Sequence, residues 1–334
     1  RLGSYRIEAA LASGGFGVVY RARHAERGTT AAVKILHADH AANGEAVARF
    51  EREVAVLQRI RHPGVLEIYE FGRVADGRPY FAMPLLEGVS LKEHLEARGR
   101  LPIDDVMAIL EPLCAAVSAA HAGGIVHRDI KPSNVFLCTR EGAAAGGRAW
   151  DRVILLDFGV AKLVDDEGQR LTTSRHVIGT MTCMAPEQIL SKPVDARADV
   201  YALGTLAYRL LTGDPPFKAS SPLAVQQMHL YAAPRPMTTF APVSPALNAP
   251  VLRALSKDRA ARQPSAEAFL RELLAAAGKP RAEDARDVLA IHVAVELDPD
   301  RAHEAGEEAF ADMEAIFPAA RAALAPLGFA VVLT

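Results

Sequence analysis

The chain opens with short runs in which apolar and polar residues alternate, broken by glycine. Tyr5 to Leu11, Val18 to Arg23 and Thr30 to Leu36 read as antiparallel strands on this pattern. A helical period then interrupts it. Val47, Phe50, Val54 and Leu57 share one face of a helix expected over Glu45 to Ile60. Val65 to Phe71 and Pro79 to Met83 read as further strands. From Ser90 onward the apolar spacing is helical, with long segments at Ile103 to His121, Asp199 to Leu211 and Ser265 to Ala277. The expectation is an α+β fold of two lobes. A small antiparallel-sheet lobe occupies 1–88, a larger helical lobe occupies 89–277, and Met83 to Gly88 connects them.

Two stretches punctuate this order. Thr139 to Trp150 is rich in Ala and Gly between the apolar runs Val135 to Leu137 and Val153 to Leu156, and reads as an extended hairpin loop. Residues 278–287 read as a linker. Beyond it, a strand from Val288 to Leu297, a helical stretch from Ala305 to Leu324 and a strand from Phe329 to Leu333 suggest the start of a second α/β unit over 288–334. The chain begins at Arg1 and ends inside an apolar run, so a longer protein is expected around it.

Composition narrows the class. Of 334 residues, 50% are hydrophobic and 23% charged, as in an ordinary globular protein. A formal net charge of −2 argues against a nucleic-acid partner held by bulk electrostatics. The three cysteines, Cys114, Cys138 and Cys183, are far apart and form no CxxC pair, which suits a reducing, cytoplasmic setting. No apolar run has the roughly 18 residues needed to span a bilayer.

The candidate chemistry is concentrated at His127-Arg128-Asp129-Ile130-Lys131-Pro132-Ser133-Asn134. One short loop carries a carboxylate, an ammonium and an amide that can reach a metal. Phosphoryl transfer from ATP uses those three groups: Asp129 to orient an acceptor hydroxyl and take its proton, Lys131 to offset phosphoryl charge, and Asn134 to hold Mg²⁺. Upstream, Ala12, Ser13, Gly14, Gly15, Phe16 and Gly17 form a glycine-rich hairpin between strands, where backbone amides can approach phosphates. One strand later, Ala32 and Lys34 share a face. Glu53 on the following helix, rather than its neighbour Glu51, is the candidate to pair with Lys34 and hold it toward the phosphates. Asp157-Phe158-Gly159 follows a buried strand and suits a metal ligand. A polar segment runs from there to Ala185-Pro186-Glu187. It contains Thr172, Thr173 and Ser174, and Arg128 could bind a phosphate placed there.

In this order the motifs resemble those of Hanks-type protein kinases, the bacterial serine/threonine class in particular, from about Tyr5 to Ala277. Lys131, two residues after Asp129, matches the serine/threonine form of the loop. The resemblance implies a bilobal fold with ATP and Mg²⁺ or Mn²⁺ in the cleft, a protein substrate, and a homodimer as candidate assembly for autophosphorylation. It makes Asp129 the catalytic base, Lys131 the phosphoryl-stabilising cation, and Asn134 and Asp157 the metal ligands. It makes Met83 the gatekeeper and Leu85 and Leu86 the hinge on adenine, with Val19, Ala32 and Phe136 around the ring. Asp199 would brace the catalytic-loop backbone, Glu187 would pair with Arg262, and Thr172 and Ser174 are the autophosphorylation candidates.

Several positions depart from the family pattern. Ala12 replaces the usual first glycine, Pro84 stands where the hinge often has Glu, and Thr182-Cys183-Met184 replaces a more typical aromatic segment. A nucleotide-binding scaffold without turnover draws its only support from Ala12 and that segment. A small-molecule kinase is disfavoured by Ala185-Pro186-Glu187. The 288–334 tail resembles the start of a class III nucleotide cyclase domain in strand order only. Ile291-His292-Val293-Ala294 stands where its metal-binding Asp is expected, so no activity is assigned to it.

Overall fold

A computed structural model describes residues 2–14, 17–38, 47, 48, 51, 54, 55, 57–139, 149–157 and 182–279. The expected loop at 140–148, the linker from 280 and the 288–334 unit lie outside the described residues, as do Gly15, Phe16, Glu53, Thr172 and Ser174. All described residues belong to one compact unit, Arg1–Lys279.

Five antiparallel strands form the first lobe: β1 (Tyr5–Gly14), β2 (Gly17–His24), β3 (Thr30–Leu36), β4 (Glu70–Arg73) and β5 (Pro79–Met83), in the order β1-β2-β3-β5-β4. Alternation along β3 and β5 divides their side chains between two faces. Ala31, Val33, Tyr80 and Ala82 pack with Tyr5 and Ala22 in a small core on one face. Leu36 and Phe81 join the main core on the other, and Lys34 lies opposite Phe81 in the β3–β5 register. Val54 and Leu57, from a helical segment, reach the same main core.

The expected strand at Val65 to Phe71 is displaced. Val65 makes only an isolated parallel bridge to Leu155, and the strand in the sheet is Glu70–Arg73. Val65 packs in the main core and Leu66 against Cys138 and Ile154, and the Leu66 N–H donates to the Leu155 carbonyl. Their alternation is therefore real but serves a different neighbour.

A second sheet lies under the connector: β6 (Gly88–Ser90), β7 (Val135–Thr139) and β8 (Trp150–Leu155), antiparallel in that order. The helices of the second lobe are α1 (Leu91–Arg98), α2 (Ile103–Ala122), α3 (Pro186–Ile189), α4 (Arg197–Thr212), α5 (Pro222–Tyr231), α6 (Asn248–Ala254) and α7 (Ala266–Ala276). Ser90 and Glu93 form a reciprocal cap at the start of α1, and Ser265 accepts from the Ala268 N–H at the start of α7. Helix α4 is buried on nearly every side, from Ala198 to Leu211, and α2, α6 and α7 pack around it. Gly204 permits that packing: a Cβ there would lie 2.7 Å from the Ala254 Cβ.

Candidate functional site

The catalytic-loop backbone is fixed by a buried carboxylate on α4. Asp199 is fully buried and accepts from the His127 N–H at 2.7 Å, the Arg128 N–H at 2.8 Å and His121 Nε2 at 2.8 Å. Two successive peptide N–H groups are thereby turned toward one side chain. The turn requires Arg128 to adopt φ 63°, a left-handed conformation that costs an ordinary residue on the order of 1–3 kcal/mol. Charge-assisted hydrogen bonds to a desolvated carboxylate are strong enough to hold it.

His127 is buried beneath the loop. Its Nδ1 accepts from the Asp129 N–H at 3.2 Å, so its Nε2 carries the proton and donates to the Leu156 carbonyl at 2.9 Å. Burial pushes its pKa below the usual imidazole value, against the opposing pull of Asp199. The neutral ring ties the 127–134 loop to Leu156, between the end of β8 and Asp157.

Asp129, Lys131 and Asn134 meet at the end of this loop. Asn134 Nδ2 donates to the Asp129 carbonyl at 2.9 Å and to its Oδ2 at 3.0 Å, and Lys131 Nζ lies 2.8 Å from the same Oδ2. The 3-10 turn Pro132–Asn134 brings Asn134 back over Asp129. The Asn134 carbonyl accepts from the Leu156 N–H at 2.8 Å, which places Asp157 beside it in the chain. Asp157 has φ 48°, and its side chain is 42% exposed.

Lys34 reaches this cluster from the other lobe. Its side chain is only 11% exposed, and Nζ lies 2.6 Å from Asp157 Oδ1. The contact spans 123 positions of sequence. Glu53, the expected partner of Lys34, lies outside the described residues; Glu51 pairs with Arg73 at 2.8 Å.

Three of the residues expected around adenine share one set of neighbours. Met83, Leu86 and Phe136 pack against one apolar cluster of Leu66, Cys138 and Ile154. Ala32 is buried in β3 and pairs with Met83, and Val19 pairs with Lys34. Leu85 and Pro84 are half-buried in the connector. In the glycine-rich hairpin, Ala12 sits in β1 opposite Val19 and is absent from the described residues with positive φ, so its methyl group is accommodated. Ser13 pairs with Val18. Gly14 and Gly17 differ: space is open around Gly14, whereas a Cβ at Gly17 would lie 2.2 Å from the Ile35 carbonyl oxygen.

Glu187 and Arg262 form a buried, two-pronged pair at 2.7 and 2.8 Å. Reading the residues alone missed two further contributors. His121 ends α2 with its ring on Asp199, and Gln188 Nε2 donates to the Arg128 carbonyl at 2.8 Å. Position was the only signal for either: one near the loop in sequence, the other directly after Ala185-Pro186-Glu187.

A protein kinase domain profile matches residues 5–290. The serine/threonine-protein kinase pkn3 of Myxococcus xanthus is 38% identical over 276 residues, covering 81% of this chain and 49% of that protein. The serine/threonine-protein kinase PknB of Mycobacterium tuberculosis is 34% identical over 258 residues, covering 76% of this chain and 40% of that protein. This chain therefore spans half or less of the length of these curated relatives. The crystal structure of the Mycobacterium tuberculosis PknI kinase domain superposes with a TM-score of 0.65 at 29% identity, covering 83% of this chain and 97% of that one. With its sheet lobe, helical lobe and catalytic-loop geometry, the chain belongs to the protein kinase family, among the bacterial Hanks-type serine/threonine kinases.

Proposed function

We propose that this chain transfers the γ-phosphoryl group of ATP to serine or threonine hydroxyls of protein substrates, in the cytoplasm, as part of signal transduction. The observation that carries the reading is the Lys34–Asp157 contact across the lobes at 2.6 Å beside the Asp129, Lys131 and Asn134 set at 2.8 to 3.0 Å, the two joined by the Leu156 N–H on the Asn134 carbonyl at 2.8 Å.

Asp129 is assigned the acceptor: its carboxylate orients the substrate hydroxyl and takes its proton as the oxygen attacks phosphorus. Lys131, held on Asp129 Oδ2, places a positive charge beside the moving phosphoryl group. Lys34 is assigned to the α- and β-phosphates, exchanging its contact with Asp157 for the nucleotide when ATP enters. Glu53 is assigned to steady Lys34 there. Ala12 to Gly17 would cover the phosphates, with Val19, Ala32, Met83, Leu85, Leu86 and Phe136 around the base.

The oxygen donors at Asn134 and Asp157 fit a hard divalent cation, Mg²⁺ or Mn²⁺. Asn134 spends its amide N–H groups on Asp129, which turns its Oδ1 to the acceptor role, and the Asp157 carboxylate is partly open to solvent. Such a cation supplies charge neutralisation on the phosphate oxygens. Phosphorylation of Thr172 or Ser174, read by Arg128, is proposed to regulate activity, with a second copy of the chain as the phosphorylating partner.

Incubation with Mg-ATP and a protein acceptor tests both parts. Asp129→Asn is expected to lower γ-phosphate transfer by at least about 100-fold, the scale of losing one such group. Equal rates for the two proteins would end the assignment. Mass spectrometry of the same wild-type sample should find phosphate on Thr172 or Ser174, and its absence from both would remove the regulatory part.

A further inference from the structure

Gln188 is the third residue of α3, but its side chain leaves that helix for the catalytic loop. Its amide nitrogen donates to the Arg128 carbonyl at 2.8 Å while its amide oxygen accepts from the Ala185 N–H at 3.1 Å. Only one orientation of the amide satisfies both neighbours, because one offers a carbonyl and the other an N–H.

The Arg128 carbonyl belongs to the peptide whose N–H is that of Asp129. That N–H donates to His127 Nδ1 at 3.2 Å. Both polar ends of the peptide immediately before Asp129 are thus held by side chains, one of them 60 positions away in sequence. The preceding peptide is fixed too, since the Arg128 N–H donates to Asp199 at 2.8 Å. Arg128 itself sits at φ 63°, a conformation that persists only where its surroundings over-determine it. Among the described side chains that hold its flanking peptides from outside the loop, Asp199 sits on the buried helix α4. Gln188 sits at the close of the 157–187 segment.

We infer that Gln188 is a positioning residue for phosphoryl transfer, which fixes the Arg128–Asp129 peptide and thereby aims the Asp129 carboxylate. The inference rests on the reading of Asp129 as proton acceptor. Both hydrogen bonds of the Gln188 side chain go to backbone atoms, so its assigned role is exerted through the loop backbone. Gln188 differs in this from its neighbour Glu187, whose carboxylate is spent on Arg262 in the core. One turn of chain thus anchors α3 in the second lobe with one residue and sets the catalytic loop with the next.

The two hydrogen bonds can be removed separately. Gln188→Glu keeps the acceptor for Ala185 and loses the donor to Arg128. Gln188→Lys keeps a donor of similar reach and loses the acceptor, and Gln188→Met removes both. Steady-state kinetics with Mg-ATP should show kcat lowered about 10-fold or more in Gln188→Glu and Gln188→Met, the effect of a small misplacement of a reacting group. KM for Mg-ATP should stay within about twofold and Tm within about 2 °C. Gln188→Lys should restore kcat toward wild type. Wild-type kcat in Gln188→Met, or a fall in kcat that tracks a fall in Tm across the series, would overturn the inference. Asp129→Asn run alongside separates the two claims: full activity there sinks the assignment of Asp129. Loss there with normal Gln188→Met sinks only the role of Gln188.

Discussion

Three described non-glycine residues have positive φ, and two of them, Arg128 and Asp157, adjoin or supply the carboxylates of the site. Conformational strain is thus placed where side chains must be aimed; at Arg128 it is held by the N–H donating to Asp199 and the carbonyl accepting from Gln188. The glycine-rich hairpin shows the same local logic in a different form. Gly17 is required by the close approach of β3, whereas Gly14 borders open space. Gly17→Ala should therefore lower unfolding stability by about 1–3 kcal/mol, since the backbone at Ile35 must shift. Gly14→Ala should stay within about 0.5 kcal/mol of wild type. Urea unfolding of the two variants checks this, and equal stabilities would count against the close contact. Sequence alone could not separate these glycines, because the difference lies in what crosses beneath each. It did place Asp129, Lys131 and Asn134 on one loop by their spacing, and the family resemblance added Lys34 and Asp157 from distant parts of the chain. That Lys34 and Asp157 would gather at one site followed from the resemblance, but their direct ion pair was not legible, as it depends on how the lobes meet.

At the scale of elements, α3 is too short to stand alone and is held by its side chains. Arg262 uses all five guanidinium N–H groups: two on Glu187, and the rest on the carbonyls of Ser256, Arg197 and Lys257. It also stacks 4.8 Å from the Tyr201 ring centroid. One side chain therefore joins α3, the start of α4 and the loop after α6. Removing either partner leaves the other charge buried, at a cost of about 3–5 kcal/mol. Arg262→Met should fall in that range, and the double variant Glu187→Gln/Arg262→Met should be less destabilised than the sum of the single variants. A strictly additive cycle would show that the pair is not coupled. This pairing was implied by the family resemblance. The strand at 65–71 was not legible, because alternating apolar residues mark a half-buried strand without naming the sheet it joins. Val65 and Leu66 go to β8, which left Glu70–Arg73, a segment with little apolar signal, to fill the sheet edge.

At the scale of the whole molecule, two buried histidines link folding to pH. His127 lies under the catalytic loop, and His229 lies in the second lobe, hydrogen-bonded through Nδ1 to the Tyr201 hydroxyl at 2.8 Å. The His229 ring packs edge-on against Phe217, whose face carries Lys257 Nζ at 4.2 Å. Burial, and then the nearby charge of Lys257, lower the His229 pKa to about 4, whereas an unfolded chain has the ordinary value near 6.5. Between those values the unfolded state binds the extra proton, so stability is retained above pH 6.5 and lost as pH falls toward 4. His127, lowered in the same direction, adds to the loss. From pH 7 to pH 5, His229 alone should account for about 2 kcal/mol. His229→Gln should be less stable at pH 7, where the packed ring is missed, yet its urea midpoint should fall less between pH 7 and pH 5 than that of wild type. Parallel pH profiles for the two proteins would mean that the ring titrates in the folded protein as it does in water, and that its burial on α5 against Tyr201 and Phe217 does not hold it neutral.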